Sequence, residues 1–108
     1  MIFLAISDTM HVRFDLFAER ETKSFLLAQL KSLPIQSGCY VYFGVEKTIL
    51  YVGKSDALHS RLTHHATAKR GFEKQNPDWQ AIGILFSDNP LLTEKELIRQ
   101  LNPITNRQ

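Results

Sequence analysis

The sequence predicts an α/β fold of the α+β type, a small antiparallel sheet with helices on its faces. Three observations carry this. Residues 39–43 and 48–52 are β-branched and aromatic runs separated by Gly44-Val45-Glu46-Lys47, the pattern of a hairpin. Two stretches, 56–69 and 93–101, carry apolar residues at helical spacing. A further apolar run, Trp79 to Phe86, lies between those helices. The resulting order of strand, strand, helix, hairpin, helix, strand, helix packs most economically as one sheet covered by helices.

Each element has its own signal. Ile2-Phe3-Leu4-Ala5-Ile6 is a short apolar run, and His11 to Phe17 alternates apolar and polar with period two, so residues 2–17 read as extended. Residues 21–32 read as a helix on Leu26, Leu30 and Leu33, stopped by Pro34. Gln36-Ser37-Gly38 is a loop into the hairpin, whose second strand ends at Gly53. Ser55 is a capping residue for a helix from about Asp56 to Lys69, with Gly71 as its stop. Gly71 to Pro77 reads as a polar loop. Trp79 to Phe86 is the third strand, weakened by Gly83, and Asp88-Asn89-Pro90 is a turn. The last helix is expected from Thr93 to Leu101, with Thr93 and Glu96 at capping-box spacing and Asn102-Pro103 closing it.

With 108 residues, the chain has room for one globular domain that buries a real core without staples. A composition of 44% hydrophobic and 22% charged residues excludes wholesale disorder. A single cysteine, Cys39, excludes an internal disulfide and a multi-cysteine zinc site. The N-terminal apolar run is too short for a signal core or a membrane span, so the expectation is a soluble, cytoplasmic protein. The formal net charge of +2 says little about partners. Its distribution says more: residues 1–35 balance to zero, whereas residues 54–74 hold Lys54, Arg61, Lys69, Arg70 and Lys74 against Asp56 and Glu73. That basic stretch is either a solvated helix face or a footprint for phosphate.

Three elements supply groups with chemistry. On the last helix Glu94, Leu97, Ile98 and Leu101 share one face, so Glu94 stands at the edge of the buried side. It is either a glutamate favoured by the helix dipole or a metal ligand. On the middle helix Leu58, Arg61, Leu62 and His65 repeat that spacing, placing a cation and a titratable ring toward the sheet. His64 and His65 are adjacent and diverge on a helix, which argues against zinc. The hairpin adds Tyr40 and Tyr51, one on each strand, which read equally as packing residues. Gly53-Lys54-Ser55 joins a strand to a helix N-terminus, a setting that favours phosphate, but it lacks the upstream glycine of a P-loop because position 48 is Thr48.

Taken together, these residues resemble the GIY-YIG nuclease family. Gly38-Cys39-Tyr40 and Tyr51-Val52-Gly53 stand where the family has its two namesake elements. Arg61 and His65 follow at the family's helical spacing, and Glu94-x-x-Leu97-Ile98 followed by Pro103 and Asn106 looks like its terminal motif. The match runs over residues 38–106 and leaves residues 1–35 as an N-terminal strand and helix extension packed on a core at 36–108.

The resemblance implies a small three-stranded antiparallel sheet flanked by helices. It also implies hydrolysis of phosphodiester bonds with one divalent cation, Mg²⁺ or Mn²⁺. Carried over residue by residue, Glu94 would hold the metal, and Tyr51 would be the general base or relay for the attacking water. Arg61 would neutralise charge on the phosphoryl oxygens, while Tyr40 and His65 would position water and phosphate. Gly53 and Lys54 would meet phosphate, and Asn106 would hold the site together or touch phosphate near Glu94; Lys69 and Arg70, from the basic stretch, are further candidates for DNA binding. Free tyrosine titrates near 10, so Tyr51 would need help from cations. DNA is the implied substrate, and nothing in the residues discriminates against RNA. The slight basic balance predicts weak, salt-sensitive binding, with a homodimer or a recognition partner adding specificity. Two other readings stay open: a catalytically silent nucleic-acid-binding module on the same fold, and a structural adaptor using residues 1–35.

Overall fold

The structure, a computed structural model, describes residues 2–6 and 10–102. In chain order the elements are β1 (Ile2–Ala5), β2 (His11–Phe14), β3 (Leu16–Glu19), α1 (Lys23–Lys31), β4 (Gly38–Phe43), β5 (Ile49–Ser55), α2 (Leu58–Thr67), α3 (Phe72–Gln75), β6 (Ala81–Phe86) and α4 (Pro90–Leu101). The main sheet runs β3-β6-β4-β5 and every neighbouring pair is antiparallel. The implied three-stranded sheet is present as β6-β4-β5. The N-terminal extension adds a fourth strand by pairing Leu16–Glu19 with Ala81–Ile84. This covers an edge that would otherwise offer open backbone groups. Asp15 fixes the junction: its amide donates to the Ile84 carbonyl at 2.8 Å, and its carboxylate accepts from the Phe86 amide at 2.9 Å. β1 and β2 form a separate antiparallel ribbon.

Period-two alternation sorts β4 onto two faces. Cys39, Val41 and Phe43 are buried with Val12, Phe14, Ile49, Val52, Leu97 and Leu101, under α4 and the ribbon. Tyr40 and Tyr42 are buried with Leu26 and Leu30 of α1 and Leu58 and Leu62 of α2, on the other side. Among the described residues no helix is long and apolar enough to cross a membrane.

Several boundaries differ from expectation for local reasons. β5 runs to Ser55, which pairs with Gly38, so α2 begins at Leu58 and not at Asp56. The Ser55 hydroxyl accepts from the Ala57 amide at 2.9 Å and turns the chain before the helix starts. α2 ends at Thr67 because Ala68 is extended, and Gly71 opens the next helix without stopping this one. The expected polar loop at 71–77 therefore contains α3. The last helix starts three residues earlier than Thr93, at Pro90. Asn89 is its cap, accepting from the Leu92 amide at 3.4 Å, and proline suits the first helical position. Thr93 lies inside the helix and bonds the Ser87 hydroxyl at 2.7 Å. Glu96 pairs with Arg99 and accepts from Gln100, so the expected capping box does not form. Asn102 closes α4 in the left-handed conformation at φ 48°, while Pro103 and Asn106 lie outside the described residues.

Candidate active site

The hairpin register brings the tyrosines together. Tyr42 sits opposite Tyr51 and Tyr40 opposite Gly53, so all four share the face covered by α2. Gly53 is required there: a Cβ at this position would collide with the ring and hydroxyl of Tyr40. Gly38 is equally constrained, because its Cβ would strike the Leu85 carbonyl on β6.

Leu58 and Leu62 anchor α2 on this face, and one turn on from Arg61 the helix presents His65. The Tyr40 hydroxyl and the His65 Nε2 are hydrogen-bonded at 2.7 Å. The rings of Tyr51 and Tyr40 lie 6.0 Å apart, and those of Tyr51 and His65 6.3 Å apart. Burial, followed by the nearby Arg61 guanidinium, pushes His65 down to about 4, so the imidazole is neutral at neutral pH. Burial, followed by the Tyr51 hydroxyl, holds the Tyr40 phenol well above the ordinary tyrosine range, with Arg61 acting in the opposite sense. The Tyr40–His65 bond therefore joins two neutral groups, one donor and one acceptor.

Glu94 comes from the other side of the sheet. Its helix covers the apolar face, but the half-buried carboxylate sits near its start, and its charge reaches both layers. It helps to raise the Cys39 thiol to about 12, after burial, and contributes to the raised Tyr40 phenol. Among the described residues the Glu94 carboxylate makes no hydrogen bond or ion pair, and no three His, Cys, Asp or Glu side chains cluster as a metal cage. A lone hard carboxylate fits Mg²⁺ or Mn²⁺, ions that keep water ligands and take others from phosphate. It does not fit zinc, which needs three or four protein ligands.

Tyr40, Tyr51 and His65 thus meet directly, while Arg61 and Glu94 act on the same phenol through charge. Arg61 and Lys54 also line an open polar recess of about 390 Å³ with Asp56, Asp88 and Asn89, beside the start of α4. Lys69 and Arg70 sit exposed in the turn after α2 and do not line that recess. Asn106 lies outside the described residues.

Four residues at this face are not among the candidate site residues the sequence singles out. Tyr42 donates to the Glu73 carboxylate at 2.6 Å, and Glu73 also pairs with the buried Lys23. Phe72 packs on Tyr42, Tyr51 and His65 at centroid distances of 4.5, 5.2 and 5.9 Å. Only Tyr42 had a signal, its period-two relation to Tyr40. The others sit in a helix too short for periodicity to register or on a helix whose partner is distant in sequence.

Comparison with known proteins identifies the family. A family model described as a UvrC-like GIY-YIG domain matches residues 36–107. The chain is 32% identical over 95 residues to UvrABC system protein C of Helicobacter pylori (strain G27), covering 75% of this chain and 16% of that protein. It is 30% identical over 88 residues to the protein of that name from Aster yellows witches'-broom phytoplasma (strain AYWB), covering 77% of this chain and 15% of that protein. For the protein of that name from Campylobacter jejuni subsp. jejuni serotype O:23/36 the identity is 31% over 98 residues, covering 79% of this chain and 16% of that protein. The chain thus spans roughly a sixth of the length of these relatives. On the matched residues, the chain belongs to the GIY-YIG family, with a UvrC-like domain.

Proposed function

We propose that this chain is an endonuclease domain that hydrolyses phosphodiester bonds in DNA by water attack, dependent on one Mg²⁺ or Mn²⁺ ion. The observation that carries this reading is the convergence at Tyr40. Its hydroxyl bonds His65, its ring adjoins Tyr51, and its phenol feels both Arg61 and Glu94.

In the proposed reaction Tyr51 takes the proton of the attacking water as the phenolate, or relays it while giving up its own to solvent, and the bond from phosphorus to the 3′ oxygen breaks as that oxygen takes a proton from water. Arg61 offsets the charge that grows on the phosphoryl oxygens. Glu94 would hold the divalent ion, which would supply Lewis-acid stabilisation of the leaving oxygen. Neutral His65 and Tyr40 fix each other's orientation and hold water and phosphate in line. Lys54, in the recess with Arg61, takes the neighbouring phosphate. Lys69, Arg70 and Asn106 extend backbone contact, and the glycine at 53 gives Tyr40 its seat. With a formal net charge of only +2, binding is weak and salt-sensitive, so a recognition partner or a second copy of the chain adds specificity.

The test is a substrate panel. Supercoiled plasmid and labelled duplex, flap, branched and single-stranded DNA, with an RNA counterpart, are incubated with Mg²⁺, Mn²⁺ or a chelator. Metal-dependent strand cleavage that disappears in Glu94→Ala is expected. Binding without cleavage under every condition would replace this reading with the silent binding module, and neither binding nor cleavage would leave the adaptor.

A further inference from the structure

The charge and hydrogen-bond pattern behind the tyrosines links the site to a part of the chain that the family match does not include. Lys23 opens α1, thirteen residues before the matched region begins, and is only 8% exposed. Its ammonium pairs with Glu73 on α3. The same Glu73 oxygen accepts the Tyr42 hydroxyl at 2.6 Å. Arg20 reinforces the junction, donating to the carbonyls of Pro77 at 2.5 Å and Trp79 at 3.2 Å, with its guanidinium 5.0 Å from the Trp79 ring.

α3 has four residues and cannot hold itself in place. Glu73 ties it to Lys23 and Tyr42, while Lys74 and Gln75 donate to the Thr67 and Arg70 carbonyls at and after the end of α2. The residue that precedes Glu73 is Phe72, whose ring lies 5.2 Å from Tyr51 and 5.9 Å from His65. Tyr51 is half-buried near the turn of its hairpin, and rotation about its side chain would move the hydroxyl by ångströms. A ring packed against it removes that freedom.

We infer that Phe72 is a positioning residue for Tyr51 and His65, and that the Glu73–Lys23 pair holds Phe72 in place. The N-terminal extension thereby acts on the catalytic geometry without touching substrate. This inference rests on the nuclease reading for its catalytic consequence, and on contacts alone for its structural one.

Two readouts separate them. Steady-state cleavage of a nicking substrate is compared for wild type, Phe72→Ala, Phe72→Tyr, Glu73→Gln and Lys23→Met. In parallel, the aromatic NMR signals of Tyr51 and His65 and the thermal melts are recorded. Phe72→Ala is expected to lower kcat by about tenfold to a hundredfold with KM within about twofold. It should also move the ring-current-shifted Tyr51 and His65 signals and keep a cooperative melt. Phe72→Tyr restores both readouts. Glu73→Gln and Lys23→Met shift the same signals in the same direction by less. A folded Phe72→Ala with wild-type kcat, or with unmoved Tyr51 and His65 signals, overturns the inference. Should Phe72→Ala fail to melt cooperatively, Glu73→Gln carries the same two criteria. If wild type cuts nothing, the nuclease reading falls and the NMR signals alone decide whether Phe72 holds the two rings.

Discussion

The two faces of the sheet are built from alternate residues of the same strands, yet they differ in kind. Under α4 and the ribbon, Phe14, Val41, Phe43, Val52 and Leu101 make a wholly apolar layer around the single thiol of Cys39. Under α1 and α2, Tyr40, Tyr42 and Tyr51 bring hydroxyls into an otherwise apolar layer, and two of them are bonded to His65 and Glu73. No buried side-chain polar atom among the described residues lacks a partner. The apolar face accounts for stability through area and packing. The tyrosine face gives up some of that for fixed polar groups, which stabilise only when every bond is made.

Substitutions on the two faces should therefore fail differently. Phe43→Ala removes a ring packed 5.8 Å from Phe14 and 5.9 Å from Phe17, and should cost about 3–5 kcal/mol in urea titration. Cleavage should fall only as the folded population falls. Glu94→Ala should do the opposite, abolishing at least about 99% of cleavage while the melt stays near wild type. A melt that collapses with it would erase the distinction. Tyr42→Phe deletes one donor to Glu73 and should cost about 1–2 kcal/mol by chemical denaturation.

The pH dependence sharpens the contrast, because the tyrosine face holds His65 and Tyr40, which folding shifts in opposite directions. His65 falls from an ordinary 6.5 to about 4 on folding. Between those values the unfolded chain binds the extra proton, so the contribution is complete above about 6.5 and is lost as pH drops toward 4. Tyr40 shifts the other way, so its contribution is complete below the ordinary tyrosine range and is lost as pH rises through it. Denaturation in buffers from pH 4 to 8 should show the acid loss, and His65→Phe should flatten it. At the small end, Glu96→Gln breaks a fully exposed pair with Arg99 and should leave the melting temperature unchanged within scatter.

Much of the tyrosine face was legible because each member obeys a period. Tyr40 and Tyr51 lie in paired strands, and Arg61 and His65 sit one turn apart on a helix anchored by Leu58 and Leu62. Glu94 was legible through its helix, but its approach from the opposite side of the sheet was not, since a helical face says nothing of which layer it covers. Phe72 and Glu73 were invisible because four residues make a single helical turn, too little for a pattern. The start of α4 was misread because Thr93 and Glu96 match a capping box, whereas Asn89 followed by Pro90 caps one turn earlier. The Lys23–Glu73 pair has no signal in the sequence, because only tertiary packing brings Glu73 to Lys23.

The fourth strand has a practical corollary. A gene fragment cut at residue 36, where the family match begins, would strip β3 from β6 and take Lys23 from Glu73. The bared β6 margin, carrying Ile82 and Ile84, is the kind of surface that zips onto its neighbours in a concentrated lysate. Recombinant versions should start upstream of Asp15, or they will be recovered as inclusion bodies.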